Sequence, residues 1–362
     1  MNTAARLFAL RKQLALDSEP AIVVTVRSNV LYLTGFDGVI DGGINAACVI
    51  TDDYARFYTD NRYADAAVAA AEGTSWEVRI QRENLYVELC EDLQAEGIES
   101  FMLESSVPYG RFTFLSEQFS GAVRVVDHHI EDLRHMKEPE EIERIAAAAA
   151  IADRAFEHIC GAIAPGVTEA EVALELEFFM RRSGSEGMPF EPIVASGPNG
   201  ARPHAIPGAR QIESGDLVVL DFGARVGGYC SDMTRTVGVG RVSEEQQRLY
   251  AAVLEANEAG LAAVRAGMPC ADVDRAARDV LAARDLGELF THGLGHGVGL
   301  DVHELPTVGP RSTQSLRPGN VITIEPGVYV PGFAGVRIED LVVVEQAGCR
   351  ILTTAPKELT LI

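Results

Sequence analysis

Four carboxylates stand where apolar, strand-like runs are interrupted. Asp221 follows Leu217 to Leu220, and Asp232 comes eleven residues later in "GYCSDMTRT". Glu325 follows "VITI", and Glu339 follows "VRI". One such acid, taken singly, reads as a strand end in water. Four of them in two paired segments are harder to place, because an ionised carboxylate is rarely buried unless it is paired or bound to a metal. With one histidine they form a mostly oxygen cage carrying a charge of about −4, suited to one or two divalent cations.

The histidine comes from "THGLGHGVGLDVHELP", where His292, His296 and His303 fall within twelve residues. His292 and His296 have the spacing of a helical zinc pair. Gly293, Gly295, Gly297 and Gly299 argue against a helix. Their alternation suggests an extended segment that something approaches closely. The glycines do not spell Gly-x-Gly-x-x-Gly, since residue 298 is valine, so a dinucleotide loop is unsupported. Alone, the segment also reads as a surface histidine cluster.

These residues need rigid carriers. "DLVVLDFGARVGGYCSDMTRTVGVG" reads as a hairpin with Gly227-Gly228 at or near its turn. "NVITIEPGVYV" and "GVRIEDLVVV" read as a second hairpin across "PGFAG". Between the strands lies an internal echo: Gly166, Val167, Ala170, Glu171 and Val172 recur 101 residues later as Gly267, Met268, Ala271, Asp272 and Val273. Each echo opens an amphipathic helix and follows another. The first predecessor spans 139–163, with Pro139 near its first position and Pro165-Gly166 closing it. The second opens with a Ser243/Gln246 capping box. Two helix pairs over long antiparallel strands predict an α+β, pseudo-twofold domain.

Residues 1 to about 130 alternate differently. "AIVVTV", "NVLYLTGF", "INAACVIT" and "ARFYTD" read as strands, and "RYADAAVAAA" and "NLYVELCEDLQAEG" as helices, giving a smaller α/β domain. The boundary falls between about 127 and 137, dividing the chain into 1–130 and 131–362. A length of 362 residues agrees with two domains. The net charge of −22 argues against nucleic acid, which needs a basic face. Six scattered cysteines without a Cys-x-x-Cys pair read as reduced thiols. "MNTAARLFALRKQLAL" is a poor signal peptide and a better first helix, and no apolar run approaches the ~20 residues that span a bilayer. A cytoplasmic protein with no membrane partner is expected.

"SGPNGARPHA", "DFGARVGGYCSDMTRT", "HGLGHGVGLDVHELP", "VITIEPGVYV" and "GVRIED" together resemble the successive signatures of the pita-bread metallopeptidases, family M24, in order and spacing over roughly residues 137–362. That family includes Xaa-Pro aminopeptidases, prolidases, methionine aminopeptidases and the metal-free creatinase. The N-terminal part, with "NVLYLTGF", resembles the domain carried by the proline-specific and creatinase branch. The resemblance implies metal ligands Asp221, Asp232, His296, Glu325 and Glu339, with Asp232 and Glu339 bridging two metals. Asp221 completes one site, and His296 and Glu325 the other. It implies catalytic roles for Glu325 as proton carrier and for His204 and His303 as hydrogen-bond donors to the substrate. It also implies a substrate pocket lined by His292, with Arg337 beside it. A homodimer is implied as well. One imidazole among oxygens favours Mn²⁺, with Co²⁺ or Zn²⁺ as possible occupants. The other histidines, His128, His129, His135 and His158, read as surface or helix residues without a role.

The expected activity is removal of the first residue from peptides with proline at the second position and three or more residues. A dipeptidase often carries an arginine just after His-Glu-x-Pro, suited to gripping the carboxylate that follows proline. Thr307 stands there instead, although Arg311 could reach back. A prolidase is the alternative, and a metal-free creatinase-like or binding protein a further one, against which the intact ligand set weighs.

Overall fold

The computed structural model describes residues 2–36 and 45–362; Met1 of the expected first helix and Ile44 of the expected third strand lie outside them. The chain divides into two compact units, Met1–Arg134 and His135–Ile362.

In the first unit, chain order runs α1 (Thr3–Asp17), β1 (Ala21–Val24), α2 (Arg27–Thr34), β2 (Ala46–Thr51), β3 (Ala55–Asp60), α3 (Ala64–Ala71), β4 (Trp76–Gln81), α4 (Leu85–Ala95), β5 (Ser100–Glu104), α5 (Tyr109–Gln118), β6 (Ala122–Val126) and α6 (Glu131–Arg134). The strands form a six-stranded mixed sheet in the order β4-β3-β2-β1-β5-β6. Val23, Val49, Phe101 and Leu103 pack its face against Leu89, Leu93 and Leu115. One expectation fails: "NVLYLTGF" is helical, not extended. Residues Ser28 to Thr34 are all buried, so no exposed stripe marks the helical period, and the short apolar run Val30 to Leu33 cannot be told from a strand by pattern. Glu104 at the end of β5 decides the matter locally. Its Oε2 accepts the backbone N–H groups of Thr25 and Val26 at 2.7 and 3.0 Å, fixing the entry to α2.

The second unit holds two helix pairs. α7 (Pro139–Cys160) and α8 (Glu169–Arg182) form the first, and α9 (Glu244–Ala263) and α10 (Cys270–Ala282) the second. α7 ends at Cys160, a few residues before the expected Pro165-Gly166 stop. The capping box at Ser243 and Gln246 is present. The echo extends to the loops before the second helices, where Thr168 bridges Gln211 and Pro269, 101 residues after Thr168, bridges Ser315.

Strands β7 (Ile193–Ser196), β8 (Leu217–Phe222), β9 (Arg225–Val226), β10 (Tyr229–Cys230) and β11 (Met233–Gly238) precede α9. After α10 come β12 (Gly295–Gly297), β13 (Glu304–Val308), β14 (Val321–Ile324), β15 (Gly327–Val330), β16 (Ala334–Arg337), β17 (Asp340–Val344), β18 (Cys349–Ile351) and β19 (Thr360–Leu361). One half is the sheet β19-β11-β8-β7, and the other is β13-β12-β14-β17-β18. Only the β11–β19 pair among these is parallel. Each half has its own core. Phe156, Val172 and Leu176 meet Leu220 and Val237 in the first, and Ala256, Val273 and Ala277 meet Ile322, Ile324 and Val342 in the second.

Both expected hairpins form, and both are broken. β8 pairs with β11, while beyond them β9 and β10 make a separate ladder around Gly227-Gly228. β14 pairs with β17, and β15 with β16. The glycine-rich segment is extended, as expected. A Cβ on Gly295 would stand 2.1 Å from the Thr323 carbonyl oxygen, and one on Gly297 the same distance from that of Leu305. What approaches so closely is the neighbouring strands.

Candidate metal centre

The hairpin breaks fall at the acids. Asp232 lies between β10 and β11, Glu325 between β14 and β15, and Glu339 between β16 and β17, with Asp221 one residue from the end of β8. Pro326 has no N–H, so the β14 ladder cannot run on past Glu325. At Glu339 the chain changes partners: Ile338 N–H reaches back to Pro326 O at 3.4 Å, whereas Glu339 N–H donates to Thr234 O on β11 at 3.0 Å. This is the seam between the two halves. Strands released from their ladders there turn their acids toward one point.

At that point Asp232, His296 and Glu339 bring one ligand atom each within 4.8 Å of one another, a group that could hold a metal ion. His296 Nε2 lies 3.3 Å from Glu325 Oε1 and 3.6 Å from Asp232 Oδ2. Its Nδ1 lies 3.0 Å from Gly297 O, so Nδ1 carries the proton and the Nε2 lone pair faces the acids. All nine residues singled out by sequence line one cavity of about 750 Å³: Asp221, Asp232, Glu325 and Glu339; His204, His292, His296 and His303; and Arg337.

The charges do not balance within the protein. Asp340, next to Glu339, is equally buried but sits between Arg235 Nη2 and Lys357 Nζ, each at 2.9 Å. Its charge is matched by these two cations. Glu339 takes only the Thr234 hydroxyl at 2.8 Å. Among the described residues, Asp221 Oδ1, Asp232 Oδ1 and Glu339 Oε1 are buried without a hydrogen-bond partner. Burial, followed by repulsion from Glu339 and Asp221, pushes Asp232 well above the usual carboxylate range. Burial, then Glu325 and Asp221, does the same to Glu339. Burial would push Glu325 up too, but the hydrogen bond and charge of His296 hold it at about 2. Orphaned carboxylate oxygens converging on an imidazole lone pair fit divalent cations, which would replace the missing positive charge.

Arg337 and one side chain not singled out from the sequence, Tyr329, organise this cluster. Arg337 donates through Nη2 to Asp221 at 2.5 Å, through Nε to Thr234 Oγ1 at 3.1 Å and through Nη1 to Tyr329 Oη at 2.7 Å. Tyr329 Oη lies 2.9 Å from His292 Nε2, and His292 Nδ1 lies 2.8 Å from Gly293 O. Nδ1 therefore holds the proton, and the tyrosine hydroxyl donates to Nε2. Both nitrogens of His292 are spent, and burial holds its pKa down. It presents a ring face to the cavity rather than a donor. The signal for Tyr329 was an aromatic with a polar tip in β15, opposite the strand that carries Arg337.

His204 and His303 make no hydrogen bond to the described residues, so their ring nitrogens are open to a ligand. His303 is held below the ordinary histidine value by burial and by the nearby charge of His296, whose ring centroid is 4.2 Å away. His204 sits on the loop after β7. Buried Glu169, the first residue of α8, clamps both ends of that loop: it accepts from Ser196 N at 2.7 Å, Asn199 Nδ2 at 3.1 Å and Gly208 N at 3.4 Å. Of the histidines expected to lie at the surface or on helices without a role, His158 on α7 pairs with Glu175. His135 is buried, contrary to expectation, and its carbonyl accepts from Asn320, which ties it to the turn before β14.

Comparison with known proteins agrees with this architecture. The pattern of metallopeptidase family M24 matches residues 143–346, and that of the creatinase/prolidase N-terminal domain matches residues 6–136. The chain belongs to metallopeptidase family M24, in the branch that carries the creatinase/prolidase N-terminal domain. It is 41% identical over 352 residues to an uncharacterised peptidase of Bacillus subtilis, covering 97% of each chain. Its structure resembles an Xaa-Pro dipeptidase of Bacillus anthracis, with a TM-score of 0.94, 37% identity and 100% of both chains covered. It also resembles an X-Pro aminopeptidase of Thermotoga maritima, with a TM-score of 0.88, 34% identity, and 98% and 99% covered.

Proposed function

We propose that this chain is a metal-dependent exopeptidase that hydrolyses the bond between an N-terminal residue and proline, and that it favours peptides of three or more residues over dipeptides. The observation that carries the reading is the uncompensated carboxylate cluster in a cavity with two open histidines. Asp221, Asp232, His296, Glu325 and Glu339 would hold two divalent cations, Mn²⁺ foremost because the donors are mostly oxygen. Bound there, such a pair supplies water activation and polarisation of the scissile carbonyl. Glu325, ionised at neutral pH, takes a proton from the attacking water and passes it to the proline nitrogen that leaves. His204 and His303 donate hydrogen bonds to the carbonyl oxygen as charge gathers on it. Arg337, Tyr329 and His292 hold Asp221 and the cavity wall in place. A homodimer in the cytoplasm completes the reading.

Alanine at His204 or His303 is expected to lower kcat by roughly 10²–10³-fold, the effect of removing one donor to a developing oxyanion. Metal content should stay at the wild-type level, checked by elemental analysis. A folded His303→Ala protein stripped of metal would make His303 a ligand instead.

The length preference rests on Thr307. It faces His296 across the β12–β13 pair and lines the cavity where a dipeptidase would place an arginine. Among the described lining residues the guanidinium is that of Arg337, already engaged. A dipeptide's carboxylate therefore meets no free guanidinium there, and a longer chain brings no charge to that point. The likeness to the Bacillus anthracis dipeptidase favours the second reading, a prolidase. Measuring kcat/KM for Ala-Pro and Ala-Pro-Ala at one pH and Mn²⁺ concentration separates them. Preference for Ala-Pro-Ala is expected, and preference for Ala-Pro would establish the prolidase.

A further inference from the structure

The cavity does not end at the acid cluster. On one side it runs along α8, where Ala170, Ala173, Leu174 and Glu177 line it. Their spacing of three, four and seven residues is one stripe of a helix. Phe190, Pro192, Ile206 and Pro207 line the same cavity. Leu174 is 55% exposed and Ile206 88% exposed, so apolar surface lies open to solvent beside the site. The two alanines let a chain pass close to the helix. Arg337 is already paired with Asp221, and beside the apolar stripe the cavity wall carries Glu177 and exposed Glu191. Glu177 shares its charge with Arg181, which donates to it at 2.9 Å.

We propose that this groove binds the segment of a peptide substrate that follows its proline, and that it selects an apolar residue there followed by a basic one. The inference rests on the exopeptidase reading above. If one residue precedes the scissile bond, only the leaving side of the substrate is long enough to occupy a groove continuous with the site. A volume of about 750 Å³ lies in the upper part of the range for small-ligand sites, about 300–1,000 Å³, so a dipeptide leaves much of it open. Apolar walls take an apolar side chain, and the acids Glu177 and Glu191 beside them attract a cation.

The test compares Ala-Pro-Leu-Leu-Lys with Ala-Pro-Ala on the metal-loaded enzyme. The long-to-short ratio of kcat/KM should be about tenfold in the wild type, the scale of one apolar side chain leaving water. Leu174→Asp and Ile206→Asp should return it toward one; both positions are exposed, so folding is retained. Glu191→Lys should lower the ratio for this peptide and raise it for Ala-Pro-Leu-Leu-Glu. Calorimetric titration of the product-like peptide Pro-Leu-Leu-Lys gives a readout independent of turnover, with weaker binding expected in Leu174→Asp. A wild-type ratio near one, or a ratio and a product affinity unmoved by these substitutions, overturns the groove while cleavage of Ala-Pro-Ala leaves the exopeptidase reading standing. A change in sedimentation mass of Leu174→Asp with no change in ratio overturns it too, and makes this face a contact between copies. Cleavage of neither peptide overturns both.

Discussion

Glu339→Ala is expected to lower hydrolysis of Ala-Pro-Ala by on the order of 10³-fold or more, at least the effect of deleting one charge-stabilising group at a reacting centre. Glu339 lies at the seam of the two halves, with a ligand atom within 4.8 Å of one on Asp232 and one on His296. No neighbouring acid can take its place, since Asp340 is committed to Arg235 and Lys357. The loss should not come from unfolding. Burial and repulsion by Glu325 and Asp221 oppose the charged form of Glu339, so alanine relieves strain in the metal-free protein. The variant should melt at or above the wild-type temperature without metal, and should bind less Mn²⁺ by elemental analysis. Near-wild-type turnover, or wild-type metal content, would remove Glu339 from the centre.

Exhaustive chelation is expected to abolish activity, and Mn²⁺ or Co²⁺ to restore it. Stability should move with it. A ligand that binds only the folded state at a hundred times its Kd stabilises by about 2.7 kcal/mol. For a unit the size of His135–Ile362 that raises its melting temperature by about 5–10 °C. The gain should grow with pH. In the metal-free protein Asp232 and Glu339 are raised above the ordinary carboxylate value of about 4. The unfolded chain ionises them from about that pH upward, while the folded one resists. The metal-free protein therefore loses stability as pH rises through the raised values. Cations compete with protons for the same oxygens and bind better as pH rises. Scanning calorimetry with and without Mn²⁺ at pH 6 and pH 8 checks both statements. Equal melting temperatures with and without Mn²⁺ at pH 8, or full activity in protein shown to be free of metal, would end the metallopeptidase reading.

Much of this site was legible in the chain because its signals are local. An acid closing a strand-like run is visible at Asp221, after "LVVL", and at Glu325, after "VITI", without any knowledge of the fold. Capping boxes and proline at a helix start are visible for the same reason, and so are the helix pairs of the second unit. The first unit shows where locality fails. In α2 every residue from Ser28 to Thr34 is buried, which erases the amphipathic stripe that marks a helix.

The sequence by itself singled out the candidate donors, four acids and the histidines, and the two hairpins that carry the acids. Tertiary structure decided which acids lack a counter-charge. Asp340 and Glu339 are neighbours of the same charge, and nothing local separates them. Arg235, 105 positions away, reaches Asp340, and so does Lys357 from the far side. Glu339 receives a hydroxyl. Tertiary structure likewise spent both nitrogens of His292, one of them on Tyr329 and the other on the Gly293 carbonyl. The reason is the same in each case. Inside a protein a charge or lone pair is settled by what lies within about 3 Å of it in a poorly screening medium, and spacing along the chain does not report that distance.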